Sequence, residues 1–147
     1  MTKDVLISIS GVHLTDGDSS DVEVITPGSY YFRNGKHYVV YDEIVDERGD
    51  MVRNTMKISP QSLDIIKSGS VSAHMIFEKD RKNVTLYQTP MGQMSVGVCT
   101  NSITIDEAAD RLKVMVGYTL DVNYEPMSEC SIVVDVQSRA AAKLQLS

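Results

Sequence analysis

An apolar residue at every second position is the feature that most constrains this chain, and it recurs from end to end. Val5, Ile7 and Ile9 alternate with polar or smaller residues, as do Val71, Ala73, Met75 and Phe77, and then Met94, Val96 and Val98. The longest run is Leu112, Val114, Val116, Tyr118, Leu120 and Val122. Successive side chains of a strand point to opposite faces, so each run predicts a half-buried strand with one apolar face. The rhythm defines a fold class; it does not name an activity.

Turn chemistry divides the rhythm into elements. A first strand is expected over 3–14, ended by Asp16-Gly17-Asp18-Ser19-Ser20-Asp21, a loop of turn formers. A second covers 22–32 and bends at Pro27-Gly28, because proline cannot donate to a central ladder. Asn34-Gly35 carries a type I′ hairpin signal between aromatic and β-branched flanks. A third strand follows over 36–45, and Arg48-Gly49-Asp50 turns the chain into 51–58. Ser59-Pro60-Gln61 breaks that strand, leaving Leu63, Ile65 and Ile66 in a short element of open type. Strands over 71–78 and 84–89 form a hairpin through 79–83; Pro90-Met91-Gly92 bends the chain into 94–100. Ile103 and Ile105 suggest a short extra strand, 106–111 a single helical turn, and 112–122 and 132–136 the last strands. The segment 139–147, with Ala140, Ala141 and Ala142, reads as a helical turn or a tail.

About eight to ten short-spaced strands in a chain of 147 residues indicate one all-β domain over 1–147. Long strands joined by short connections favour a single antiparallel up-and-down barrel over a sandwich, because closure removes exposed edges. Only 59–69 and 123–129 are long enough to serve as crossing connections of a sandwich.

The formal net charge of −6 argues against nucleic acid and anionic membrane as partners. The densest basic group, Lys79, Arg81 and Lys82, falls in an expected turn and reads as solvated charge. The N-terminal apolar run is short and broken by serine, so no signal peptide is expected. No stretch approaches the roughly 20 apolar residues of a membrane helix. With two cysteines, Cys99 and Cys130, there is no disulfide framework; free thiols and a cytoplasmic location are expected. The Asn83-Val84-Thr85 acceptor motif then has no role.

Catalytic and metal motifs fail one by one. The Asp16/Asp18/Asp21 loop puts Asp21 where a calcium loop needs its glycine and Pro27 where it needs its last carboxylate. His13, His37 and His74 fall on three strands without metal spacing, and His74 should face solvent. No Gly-x-Ser-x-Gly elbow or phosphate loop is present, and neither cysteine is placed beside a histidine. No metal or cofactor is expected, and an enzyme is disfavoured. Five of nine aromatics, Tyr30, Tyr31, Phe32, Tyr38 and Tyr41, cluster with Arg33 and Lys36, as on a single-stranded nucleic acid platform. The neighbouring Asp42, Glu43, Asp46 and Glu47 favour a packed aromatic hairpin instead.

One strand face carries a candidate site. Val39, Tyr41, Glu43 and Val45 share a side of the third strand; if it faces inward, Glu43 becomes a buried carboxylate in need of a partner. Tyr118, on the inward face of its own strand, is the candidate partner. Barrels of about eight strands either fill with side chains or hold one small ligand oriented by a few polar groups. Tyr41, Glu43 and Tyr118 are therefore the candidate ligand-binding residues.

Tyr41-x-Glu43, Thr55-x-Lys57-Ile58, Gly69, Met75-x-Phe77, Tyr87-x-Thr89-Pro90-Met91-Gly92, Thr100 and Gly117-Tyr118-x-Leu120 together resemble the YwiB-like β-barrel family, a domain-of-unknown-function family of Gram-positive bacteria. The resemblance spans about 36–136. It implies a calycin-like barrel, similar in shape to lipocalins and streptavidin, in the bacterial cytoplasm, and supplies no activity. The chain departs from the family pattern where Lys67-Ser68 stand in place of an arginine before Gly69, which argues against an ion-pair role there.

Three functions follow as expectations. The first is binding of a small, largely apolar ligand inside the barrel. The second is a non-catalytic interaction module or homodimer acting through outward apolar residues such as Leu6, Val12 and Leu14. The third, disfavoured by charge, is single-stranded nucleic acid binding through the Tyr30–Tyr41 hairpin.

Overall fold

In a computed structural model, ten antiparallel strands follow one another among the described residues and share one sheet. The structure describes residues 3–15, 18–44 and 49–139. The strands are β1 (Asp4–Thr15), β2 (Asp18–Arg33), β3 (Lys36–Ile44), β4 (Met51–Ser59), β5 (Ser62–Gly69), β6 (Ala73–Glu78), β7 (Lys82–Thr89), β8 (Gly92–Ala108), β9 (Arg111–Val122) and β10 (Glu125–Ser138). β1 pairs with both β2 and β10, so the first and last strands meet and the sheet rolls into a nearly closed barrel.

The remaining gap lies between two neighbours in sequence, β6 and β7. They share one bridge, in which Ser72 and Gln88 exchange backbone hydrogen bonds of 2.9 Å. Below it, Asn83 Nδ2 donates to the carbonyl of Ile76 at 3.2 Å, and the Asp80 N–H donates to the Thr100 carbonyl at 2.9 Å. These contacts cover the two edges without a ladder. Because hydrogen-bonding direction alternates along a strand, the amides of His74, Ile76, Val84 and Leu86 point at this seam. They are expected to exchange with solvent orders of magnitude faster than those of Met75 and Thr85, which face ladders, in native-state hydrogen exchange read by NMR. Equal protection would show that the seam is as tight as the rest of the barrel.

Several expectations change. Asp18–Asp21 belong to β2 and not to the expected six-residue loop; 16–17 lie outside the described residues, together with 45–48 and the tail over 140–147. The chain at 106–111 is no helical turn: β8 runs to Ala108 and β9 starts at Arg111. Ile103 and Ile105 are part of β8 and not a separate strand; a bulge between Thr100 and Ser102 shifts the apolar phase from even to odd positions. Leu63, Ile65 and Ile66 belong to β5, and 59–62 is a tight hairpin instead of a crossing connection. Asn34-Gly35 adopts the expected turn, with φ of 54° and 75°. Asn123-Tyr124, at φ of 50° and 69°, makes a second turn of this kind where a longer connection was expected.

The interior is the expected apolar face. Leu112, Val114 and Val116 of β9 pack with Ile7, Ile58 and Phe77, all at most 2% exposed. Each such side chain contributes roughly 1.5–3 kcal/mol through removal from water. The larger cavity lies toward the end where β3 finishes, and a smaller one of about 340 Å³, with His37, Ile58 and Glu107 in its wall, lies toward the end where β3 begins.

Candidate functional site

The larger cavity originates in three residues of β2, Thr26-Pro27-Gly28. Beside them the β2–β3 ladder stops: it runs only from Arg33↔Lys36 to Ser29↔Val40. β2 continues on β1 to Asp18↔Thr15, and β3 continues on β4 to Ile44↔Met51. Pro27 has no N–H to carry the ladder further, so the two strands diverge there. Gly28 allows the close crossing just before the divergence. A Cβ at that position would lie 2.7 Å from the Val40 carbonyl oxygen and would collide with Ile7.

The split leads into a cavity of about 550 Å³ between β2 and β3. Its apolar wall includes Ile9, Met56, Ile65, Met75, Phe77 and Ile132, and Val24, Ile25 and Ile44 leave an exposed apolar rim at the opening. Tyr41, Glu43 and Tyr118, named from sequence alone, all line this one cavity.

Their partners differ from the expectation. Glu43 is not buried; its side chain is 45% exposed at the mouth, because β3 has already left β2 at that point. Tyr118 is not its partner. Lys67 Nζ donates to Glu43 Oε1 at 3.3 Å and to Asn54 Oδ1 at 2.8 Å, and Asn54 Nδ2 donates to the same Glu43 oxygen at 3.3 Å. Asn54 is fully buried and the Lys67 side chain is 18% exposed. The departure from the family pattern at Lys67 thus retains an ion pair. The next charge along the mouth, Asp42, accepts from Arg53 at 3.1 Å. Tyr118 instead packs edge-to-face on Phe77, with ring centroids 5.0 Å apart, and hydrogen-bonds to Cys130.

Burial first, and then the Glu43 carboxylate, pushes the Tyr41 phenol well above its ordinary range. Tyr87 on β7 is raised by the same two causes in the same order. Tyr118 is raised mainly by burial, with Cys130 adding to it. The cavity therefore keeps neutral phenols on its wall and balanced ion pairs at its lip.

Lys67 and Asn54 escaped the sequence reading, although the signal was there. Asn54 interrupts the inward series Val52, Met56, Ile58, and Lys67 ends the inward series Leu63, Ile65. A polar residue at an inward register position marks a site by the same rule that singled out Glu43.

A second polar cluster sits at the other end of the barrel, in the wall of the smaller cavity. Tyr30 Oη lies 2.7 Å from His37 Nδ1, and His37 Nε2 lies 3.5 Å from Glu107. His74 faces solvent as expected and pairs with Asp64 at 3.0 Å on the outer surface; the His13 side chain lies outside the described residues. Among the described residues no group of three His, Cys, Asp or Glu is placed to hold a metal. Neither cysteine forms a disulfide. Cys130 is buried beside Tyr118, whereas Cys99 alternates with the inward Val98 and Thr100 and so lies on the other face of the sheet. The aromatic hairpin is packed across its strands: Tyr31 stacks on Tyr38 with centroids 4.8 Å apart. Leu6 is partly buried, and the Val12 and Leu14 side chains lie outside the described residues.

The barrel has a counterpart among solved structures. The crystal structure of the ywiB protein from Bacillus subtilis superposes with a TM-score of 0.81 at 20% identity, covering 92% of each chain. In sequence, the uncharacterized beta-barrel protein YwiB of Bacillus subtilis (strain 168) is 24% identical over 121 residues, 82% of this chain and 84% of that protein. The domain of unknown function DUF1934 matches residues 7–134, from β1 into β10, and the chain belongs to that family.

Proposed function

We propose that this protein binds one small, largely apolar molecule in the cavity between β2 and β3, in the manner of a lipocalin-like barrel of the cytoplasm. The observation that carries the reading is the coincidence of three features in one place. A cavity of about 550 Å³ has an apolar wall, a few polar groups converge on its mouth, and the sheet splits there. The volume falls within the range of small-molecule sites, about 300–1,000 Å³. The polar groups lie at the opening and the apolar wall lies within, as a molecule with one polar end would need.

Native mass spectrometry of the protein purified from its own organism, against the same sample denatured, tests the reading. Extra mass that leaves on denaturation is expected. It should be absent from a Met75→Trp variant, whose larger side chain occupies the cavity, while that variant still unfolds cooperatively. A bare polypeptide mass in the unaltered protein would overturn the reading. It would favour a homodimer through the outer surface, for which the exposed Val84 and Leu86 beside the β6–β7 seam are the supporting observation.

A further inference from the structure

We propose that the cavity selects an uncharged amphiphile, with a hydroxyl or amide head on an aliphatic or aromatic body, over a fatty acid or an amine of the same shape. The inference rests on the cavity being a binding site and concerns the head group that its mouth accepts.

The charges at the mouth cancel in pairs. Lys67 is matched by Glu43 at 3.3 Å and Asp42 by Arg53 at 3.1 Å. An ammonium carries three N–H donors. Lys67 spends one on Glu43 and one on Asn54, and Asn54 returns a donor to Glu43. The triangle is internally satisfied, yet one Lys67 N–H and the second Glu43 oxygen remain for a guest. A hydroxyl or primary amide can serve both at once, since it accepts from the ammonium and donates to the carboxylate. The neutral Tyr41 phenol, kept protonated by burial and by Glu43, adds a donor on the same wall.

Charged heads fare worse. A carboxylate approaching Lys67 meets Glu43 bound to the same nitrogen. An alkylammonium approaching Glu43 meets Lys67 in the same way. Repulsion between like charges a few ångströms apart grows where water is partly excluded; the Lys67 side chain is 18% exposed and that of Glu43 45%, so the penalty on either charged head is moderate. Meanwhile the body of any of the three would rest on the same Met56, Met75 and Phe77 surface. Selection therefore falls on the head alone.

Decanol, decanoate and decylammonium share a tail and differ only in the head, which makes them the probe set. Isothermal titration near neutral pH is expected to show decanol binding about tenfold more tightly than either ion, a difference of roughly 1.4 kcal/mol. Glu43→Gln keeps a hydrogen-bond acceptor for Lys67 and removes the opposing charge. The variant is expected to raise decanoate affinity about tenfold and so to bring decanoate level with decanol. Glu43 stands half-exposed at the lip, so thermal unfolding of the variant serves as the control for an intact barrel. Decanoate binding to the unaltered protein as tightly as decanol would overturn the head-group inference and leave the cavity reading standing. Binding of none of the three, nor of an apolar dye, would overturn both.

Discussion

Replacing Gly28 with alanine is expected to lower the unfolding free energy by about 1–3 kcal/mol, the usual cost of forcing extra volume into packed structure. The new methyl has nowhere to go. Its nearest neighbours are the Ile7 side chain, the Val40 carbonyl oxygen at 2.7 Å and the Tyr41 Cβ at 3.3 Å. A side chain can rotate away, but Val40 O belongs to the backbone at the last rung of the β2–β3 ladder. Relief therefore requires β3 to move away from β2, which breaks the Ser29↔Val40 pairing or tilts Tyr41 within the cavity. Gly11→Ala on β1 is the matched control, since its Cβ would meet only the Ser131 carbonyl at an ordinary 3.7 Å. That substitution is expected to be neutral or slightly stabilising, because alanine loses less backbone entropy than glycine on folding. Urea unfolding of the two variants, with equal m-values, reads the difference directly. A Gly28→Ala protein as stable as Gly11→Ala would show that the crossing is not tight.

How much of this could be read in the residues depends on the range of the interaction. The strands were legible because alternation is local: Leu112-x-Val114-x-Val116 needs no knowledge of its neighbours to declare a face. Turns were legible where backbone sterics dictate residue type, as at Asn34-Gly35, and less so at Asn123-Tyr124, where a tyrosine occupies the left-handed region against its preference. β8 read as two pieces because the bulge between Thr100 and Ser102 reverses its phase, and one extra residue leaves no composition signal. The site was half legible. The period of β3 placed Tyr41 and Glu43 together, and that of β9 turned Tyr118 inward, so all three reached one cavity. The pairing of Glu43 was not legible. Lys67 stands opposite Asn54, and β4 lies between β3 and β5; such neighbour relations are properties of the assembled sheet. Pro27-Gly28 signalled a bend, but that the bend parts β2 from β3 follows only once β3 is known to lie beside it.

Alkaline destabilisation is the other large expected effect, and it follows from the two phenols on the cavity wall. Tyr41 and Tyr118 have folded-state pKa values raised above the ordinary 10.0, in both cases chiefly by burial. In the folded protein they hold their protons at pH values where the unfolded chain releases them. The unfolded state then binds fewer protons, so stability falls as pH rises. The contribution is fully present below about pH 10 and is lost progressively as pH climbs from there toward the raised folded values. The limiting slope is about 1.4 kcal/mol per pH unit for each such group, so the pair together removes roughly 3 kcal/mol in total by about pH 11. Against the roughly 5–15 kcal/mol of stability typical of a domain, that loss brings unfolding within reach of strong base alone. Urea midpoints followed from neutral to strongly alkaline pH should bend downward near pH 10, with tyrosinate absorbance of the buried pair appearing only as structure is lost. The double variant Tyr41→Phe, Tyr118→Phe should flatten the bend, leaving the smaller share of Tyr30 and Tyr87, whose phenols are also raised by burial. A midpoint that holds level through the tyrosine range in the unaltered protein would mean that water reaches both phenols freely. The cavity would then be too wet for the head-group selection that its balanced charges otherwise support.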